Sequence, residues 1–176
     1  TYPATALPWG MNFWTPQTRK IGDGWQYAYT DYKLNGFKQT HQPSPWMNDY
    51  GQFSIFPMVD KMEFDQEKRA SWFSHKAEVA KPYYYSVYLA DYDMTTEITP
   101  TERAAIFRFT FPETDSAFVL VDAFDRGSAV EILPAQNTVR ACHPSATVYN
   151  HSMHVKLTAP AASGRANRHA NNRPEN

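Results

Sequence analysis

Apolar and polar residues alternate along several short stretches of the chain, which is the pattern of half-buried β-strands. In the clearest stretch, Phe107, Phe109 and Phe111 share one face, and the polar residues between them share the other. Two similar stretches precede it, separated by an Asp-Tyr-Asp turn: Tyr83–Leu89 and Met94–Arg103. Together the three stretches predict an antiparallel meander.

Further short apolar runs predict additional strands. They are Trp25–Thr30, Gln52–Met58, Phe118–Val121 and Ala129–Leu133. The third of these is apolar on both faces, which suits a central strand covered on two sides. The one candidate helix, Phe64–Ala70, is so charged that a solvated helical turn and a loop fit it equally well. Because 13 prolines and several Gly/Asn/Asp clusters separate the runs, the sequence predicts an all-β fold, an antiparallel and partial β-sandwich.

The composition changes after about Val139. Aromatic residues almost vanish, four of the six histidines appear, and Ala, Asn, Ser and Arg dominate. The chain has 176 residues, which is enough for one domain. We therefore predict one sandwich domain over residues 1–139 and a disordered tail over residues 140–176, since the tail has little apolar surface to offset the entropy of ordering. An altered reading frame would also produce so abrupt a change.

Charge and cysteine content exclude several classes of protein. The net charge is −1 and acids and bases are interspersed, whereas a nucleic-acid partner would require a dense Lys/Arg stripe. No apolar run approaches the roughly 20 residues that span a bilayer. Cys142 is the one cysteine, so an intrachain disulfide is excluded. The chain begins with Thr1 instead of Met, and we expect it to be processed or cut, as after removal of an export signal.

Signatures of catalysis are weak. No G-x-S-x-G turn activates a serine, and His143, His151 and His154 lie in the tail without an H-E-x-x-H pattern. Glycosidases hold two carboxylates across the scissile bond. Here the acidic residues of loops and strand ends form no decisive pair and are explained by solvation: Glu63, Asp65, Glu67, Asp91, Asp93, Asp122 and Asp125.

The most distinctive local feature is the loop His41–Gly51, in which two prolines stiffen a segment that carries Trp46 and Asp49. The apolar face of a pyranose packs on an indole ring, and a carboxylate accepts hydrogen bonds from neighbouring hydroxyl groups. The loop therefore suits sugar binding. The alternative is that Trp46 plugs the core beneath the loop, and Trp9 and Trp14 are ambiguous in the same way.

Four stretches of the chain, in this order and spacing, resemble glycoside hydrolase family 92, the calcium-dependent exo-acting α-mannosidases. They are Ala6–Met11, Gly36–Gly51, Phe73–Val87 and Glu97–Arg103. The resemblance implies an N-terminal β-sandwich followed by a helical (α/α)6 domain, with the active site between them. It also implies that the general acid, the general base and the calcium ligands come mainly from the helical domain, where the base activates a water and the anomeric configuration inverts.

On this resemblance, Trp46 and Asp49 are the sugar-binding residues that the sandwich contributes, joined by Trp9. His41, His75 and Glu78 also match and are expected to hold loops and strand ends together. No catalytic residue and no metal ligand is expected within this chain. The tail after Val139 resembles nothing in the family.

The first hypothesis is thus a partial N-terminal domain of a secreted or periplasmic inverting exo-α-mannosidase. Its partners would be mannose-terminated glycans and, in cis, the missing helical domain, and the isolated chain would be inactive. A second hypothesis is a free-standing carbohydrate-binding sandwich that uses Trp46 and Asp49. A third is a non-functional truncated gene product whose exposed sheet favours aggregation.

Overall fold

The structure, a computed structural model, describes residues 3–10, 12–19, 27–40, 53–123, 128–144 and 150–158. These residues form antiparallel strands: β1 Phe13–Gln17, β2 Lys33–Leu34, β3 Gly36–Thr40, β4 Phe53–Val59, β5 Ser71–Trp72, β6 Val79–Lys81, β7 Tyr84–Leu89, β8 Met94–Pro100, β9 Ala105–Thr110, β10 Ala117–Ala123, β11 Ala129–Leu133, β12 Thr138–Pro144 and β13 Asn150–Lys156. Two short 3-10 turns, Ala90–Tyr92 and Pro134–Gln136, complete the regular structure of the described residues.

Two four-stranded sheets pack face to face through aromatic side chains. The first sheet has the order β1-β3-β4-β10 and the second the order β6-β7-β8-β9. Trp14 of the first sheet meets Phe107 of the second edge-on, with ring centroids 4.7 Å apart, and Phe37 meets Tyr85 at 6.1 Å. Large aromatic rings dominate the energetics of such a core. The predicted all-β antiparallel sandwich is therefore confirmed.

The predicted meander is also confirmed. Strands β7, β8 and β9 pair in sequence order, and β6 adds a fourth strand at the edge. The Asp-Tyr-Asp turn is a 3-10 turn that ends at Asp93, whose φ of 48° lies in the left-handed region. Asp tolerates this conformation better than most residues. The strand predicted at Gln52–Met58 corresponds to β4, and the strand predicted at Ala129–Leu133 is β11.

Two strand predictions need correction. Within the predicted strand Trp25–Thr30, the described residues 27–30 form no strand and include a turn, because Tyr27 and Tyr29 pack around the ring of His75 instead of alternating across a sheet. Phe118–Val121 lies in β10, which is the outermost described strand of its sheet and is half-buried. The strand buried along its whole length is β4.

The described strands continue past the boundary predicted after Val139. That boundary falls inside β12, which pairs with β13 as far as Lys156. Ala141 is fully buried and Val155 packs against the core, so a polar sequence still supplies the inward positions of a three-stranded sheet. The ordered part of the chain is therefore longer than predicted. Residues 159–176 lie outside the described residues, and the prediction of a disordered tail there stays a prediction.

A buried arginine lies in the segment predicted to be a solvated helical turn or a loop. The segment forms a turn closed by a bond from the Arg69 amide to the Asp65 carbonyl, 3.0 Å. The Arg69 side chain is fully buried. Its guanidinium donates to the Asn35 carbonyl at 2.8 Å, to the Phe64 carbonyl at 3.3 Å and to the Asp122 carboxylate at 2.6 Å. The buried charge is thus satisfied on three sides.

Replacing this arginine should destabilise the fold strongly. Arg69→Met leaves Asp122 and two carbonyl oxygens without their donor, and we expect a loss of about 3–5 kcal/mol in the free energy of unfolding. Urea denaturation followed by circular dichroism measures the change. Arg108→Ala is the control, since it removes an exposed pair with Glu97 and should leave the midpoint nearly unchanged. Equal midpoints for both variants would contradict this role of Arg69.

Candidate functional site

The described residues on either side of the predicted sugar-binding loop lie at one end of the first sheet. Strand β3 ends at Thr40 and its antiparallel neighbour β4 begins at Phe53. Trp46 and Asp49 belong to this connection and lie outside the described residues, as does His41. Their assignment to a sugar site stays a prediction.

Trp9 lies at the tip of a tight turn and projects into solvent. The Gly10 amide donates to the Leu7 carbonyl at 3.0 Å, and Thr5 and Trp14 bridge the two arms of the turn. The φ of Trp9 is 61° and its side chain is 99% exposed. A bulky residue with positive φ is unusual, and here it carries the indole away from the fold. Trp14, in contrast, is buried against Phe107, so Trp14 is a core residue and Trp9 is free to meet a ligand.

The Trp9 turn lies at the end of the sandwich where β3 ends and β4 begins. Phe13, at the start of β1, pairs with Thr40, at the end of β3. The Ala6 amide donates to the carbonyl of Pro82, in the β6–β7 turn, at 2.7 Å. Gly10 lies next to the β8–β9 turn, since a side-chain Cβ placed on this glycine would be 3.5 Å from Cα of Glu102. We call this end of both sheets, with the Trp9 turn, the loop end.

Two buried donors lie at the start of β1, close to the loop end. The Asn12 side-chain oxygen accepts a bond from Gln39 Nε2 at 3.2 Å. The Asn12 amide nitrogen and the Trp14 indole nitrogen are buried and meet no acceptor among the described residues. A buried donor without a partner is costly. These two groups could therefore receive an acceptor from the rest of the protein or from a bound molecule.

Lys38 is a residue that the sequence reasoning did not single out. It lies on β3, two residues before Thr40, and its side chain is 2% exposed. Burial lowers the pKa of its ammonium group to about 8. The signal in the sequence is a lysine next to Phe37, directly before the stiff loop. Lys38 therefore places a buried amino group close to the point where β3 ends.

Away from the loop end, His75 and Glu78 connect the segment that contains Asp31 to Tyr85 of strand β7. His75 Nδ1 lies 3.0 Å from a Glu78 carboxylate oxygen, and Nε2 lies 3.2 Å from the Asp31 carbonyl. The Tyr85 hydroxyl donates to the second Glu78 oxygen at 2.6 Å. Both ring nitrogens of His75 thus lie within hydrogen-bond distance of oxygen atoms, and the ring links Asp31 to Glu78. The expected structural role of His75 and Glu78 is confirmed.

Aromatic rings surround this hydrogen-bonded pair, whose side chains are largely buried. The Tyr29 ring stacks on His75 with centroids 4.2 Å apart, and the Phe73 ring meets it edge-on at 4.8 Å. Burial, and then the neighbouring Glu78 carboxylate, raise the pKa of Tyr85 well above its usual value. The Tyr85 hydroxyl therefore stays protonated and remains a donor.

Neither a metal site nor a membrane span is found in the described ranges. No three of His, Cys, Asp and Glu come together there in a group that could hold an ion, so the described side chains offer no fit for calcium. Calcium in the intact enzyme stays a prediction. No helix of the described ranges is long and apolar enough to cross a membrane.

The described residues thus define an antiparallel β-sandwich with the exposed indole of Trp9 at its loop end. Residues 1–166 match the N-terminal domain of glycosyl hydrolase family 92. The chain belongs to this family.

Solved structures agree with this assignment. A family 92 inverting mannosidase from Bacteroides thetaiotaomicron is 48% identical, with a TM-score of 0.75, over 81% of this chain and 19% of that chain. A family 92 α-mannosidase from the same organism is 30% identical, with a TM-score of 0.69, over 81% of this chain and 21% of that chain. The complex of that α-mannosidase with mannoimidazole gives the same identity and TM-score, over 81% of this chain and 20% of that chain. Among curated proteins, none matches significantly. The chain thus spans about a fifth of the length of the mannosidases it matches.

Two adjacent tyrosines on β7 provide a test of the buried network. The hydroxyls of Tyr85 and Tyr84 each donate to a glutamate at 2.6 Å, the first to buried Glu78 and the second to Glu97 on the outer face. Tyr85→Phe should lower the free energy of unfolding by about 1.5–3 kcal/mol, because a buried carboxylate loses a donor. Tyr84→Phe is the matched control and should change it little, since water replaces the lost hydroxyl. Chemical denaturation of both variants decides, and a larger loss for Tyr84→Phe would refute the buried role of Tyr85.

Proposed function

We propose that this chain is the N-terminal domain of an inverting exo-α-mannosidase that acts on mannose-terminated glycans. The observation that carries the proposal is its likeness to the inverting mannosidase, which exceeds what a shared fold alone requires. The rest of the enzyme would follow in cis, since the solved mannosidases are about five times longer than the matched region.

In this proposal the loop end contacts the terminal mannose. Trp9 supports it directly, since its exposed indole offers an apolar plate for the CH face of a pyranose. Trp46 would supply a second plate and Asp49 an acceptor for sugar hydroxyls. A carboxylate with fixed hydroxyl partners selects among sugars that differ in the configuration of one carbon. The sandwich thus contributes binding and orientation.

The chemistry would come from outside this chain. Inverting hydrolysis needs an acid and a base about 6.5–9.5 Å apart with a water between them. Several described carboxylates already have partners within the fold: Asp122 bonds to Arg69, Glu78 to His75 and Glu97 to Arg108. Hydrogen bonds from Arg108 lower the pKa of Glu97, which makes this carboxyl group a poor general acid. These partners support placing the acid, the base and the calcium ligands outside this chain. Export to the periplasm or beyond fits an enzyme that trims glycans and stays a prediction.

The isolated chain should release no mannose. We expect 4-nitrophenyl α-mannoside to remain intact in the presence of the purified chain with added calcium, because positioning without acid and base gives no turnover. A full-length family 92 mannosidase in the same buffer is the positive control. Release of mannose by the isolated chain, lost on heating, would overturn the division of roles.

The same preparation separates a half pocket from a free-standing binding module. A half pocket should bind methyl α-mannoside at the loop too weakly to saturate. A binding module would retain a measurable affinity that Trp46→Ala abolishes. Titration of the wild type and of this variant, with the outward-facing Ile106→Ala as control, therefore distinguishes the first hypothesis from the second.

A further inference from the structure

A shallow groove opens where β5 meets the end of β7, remote from the loop end. It has a volume of about 200 Å³ and is lined by Trp72, Phe73, Ser74, Ala77, Tyr88 and Ala90. Strand β7 runs from Tyr84 to Leu89, and five residue steps at roughly 3.3 Å each cover about 17 Å. A single sugar ring bound at Trp9 therefore does not reach this aromatic groove.

Trp72 forms one wall of the aromatic groove and is held firmly. Its indole is 53% exposed, and Lys33 Nζ lies 5.0 Å from the ring centroid. Its amide donates to the Asp91 carboxylate at 2.8 Å, and its backbone pairs with Lys33 of β2. A cation over an aromatic ring is stabilising, so Lys33 fixes the indole and adds a donor beside it.

Tyr88 also lines the groove. Its ring is 43% exposed, and its hydroxyl donates to the Asp93 carboxylate at 2.7 Å. Nearby, Phe73 of the groove contacts His75, on which the exposed Tyr29 stacks. Exposed aromatic rings therefore lie on this side of the fold, and the Tyr88 ring is oriented by its bond to Asp93. Such preorganisation reduces the entropy lost on binding.

We propose that the aromatic groove binds one pyranose unit of a neutral, mannose-bearing glycan. Its volume lies below the roughly 300–1,000 Å³ of pockets that enclose drug-sized ligands, so it suits one ring and leaves the rest of a glycan in solvent. Its rim carries a cation, Lys33, and two carboxylates, Asp91 and Asp93. This mixture matches the alternating donors and acceptors of sugar hydroxyls, whereas an apolar protein partner would bury those charges at a cost.

The choice of mannose rests on the proposed function, whereas the aromatic plates and the polar rim stand on the geometry alone. An enzyme that removes terminal residues gains from holding the same glycan at a second point. When one part of a glycan is bound, the effective concentration of its terminal residue at the other site rises, although neither contact becomes stronger.

The test follows the indole N–H signals of the five tryptophans in two-dimensional NMR of the full 176-residue chain during titration with methyl α-mannoside. The signal that disappears in Trp72→Phe identifies Trp72. We expect this signal to shift and to saturate with a dissociation constant on the order of 1 mM, as for a small ligand with one or two plates. A Trp72 signal that stays unmoved at saturating sugar overturns the inference.

Variants then locate the site and keep the two proposals separable. Tyr88→Ala should raise the dissociation constant measured from the Trp72 signal at least tenfold. Ile106→Ala, on a strand outside the groove, should leave this constant unchanged. Trp46→Ala should also leave it unchanged. If Trp46→Ala abolishes the shift, the sugar binds at the loop end and the groove proposal fails. The mannose-release assay judges the proposed function independently of either result.

Discussion

The buried guanidinium of Arg69 is the interaction on which the arrangement of the sandwich depends. Desolvating a positive charge is expensive, and the cost is offset because three oxygens from separate parts of the chain converge on it. The Arg69 carbonyl in turn accepts a bond from the Tyr92 hydroxyl at 2.8 Å. Arg69 thereby links the first sheet, through Asp122 of β10, to the turn that follows β7 in the second sheet. Asn35 directly precedes β3, the strand that leads into the predicted sugar-binding loop.

What the sequence predicts well is local. The alternation of Phe107 and Phe109 fixes which side of β9 faces the core, and the same rule places β7 and β8. The role of Arg69 escapes such reasoning because its carboxylate partner is 53 residues away and no local pattern indicates it. The alternating tyrosines Tyr27 and Tyr29 predict a strand, but they belong to an aromatic cluster around His75. Such a cluster contains the same residue types as a half-buried strand, so the sequence pattern does not separate the two.

For the candidate site too, the sequence alone does not show which tryptophans are buried. The sequence does not distinguish an indole in the core from one in solvent, since tryptophan occurs in both environments. The structure separates them, because β1 turns Trp14 inward while a positive φ turns Trp9 outward. The described strands continue past Val139, where the composition predicts a disordered tail, because β12 and β13 pair through a backbone hydrogen-bond ladder that composition does not reveal.

In the two proposals made above, this fold is a scaffold with two separate surfaces for a glycan. The loop end carries Trp9 and the root of the predicted loop, while the opposite end of β7 carries the aromatic groove. The ion pairs of the described residues stabilise the fold. In the proposed function, the scaffold positions a substrate and groups outside this chain cleave the bond. Binding energy used to orient a substrate is a genuine catalytic contribution even when the groups that react lie elsewhere.

The most direct measurement is the activity of a chimera in which this chain replaces the N-terminal domain of the 48% identical mannosidase. The account predicts that the chimera hydrolyses an α-mannoside and that Trp46→Ala lowers kcat/KM by at least tenfold, whereas Ile106→Ala does not. A folded chimera whose Trp46→Ala variant is as active as its parent would contradict the claim that this domain positions the terminal mannose.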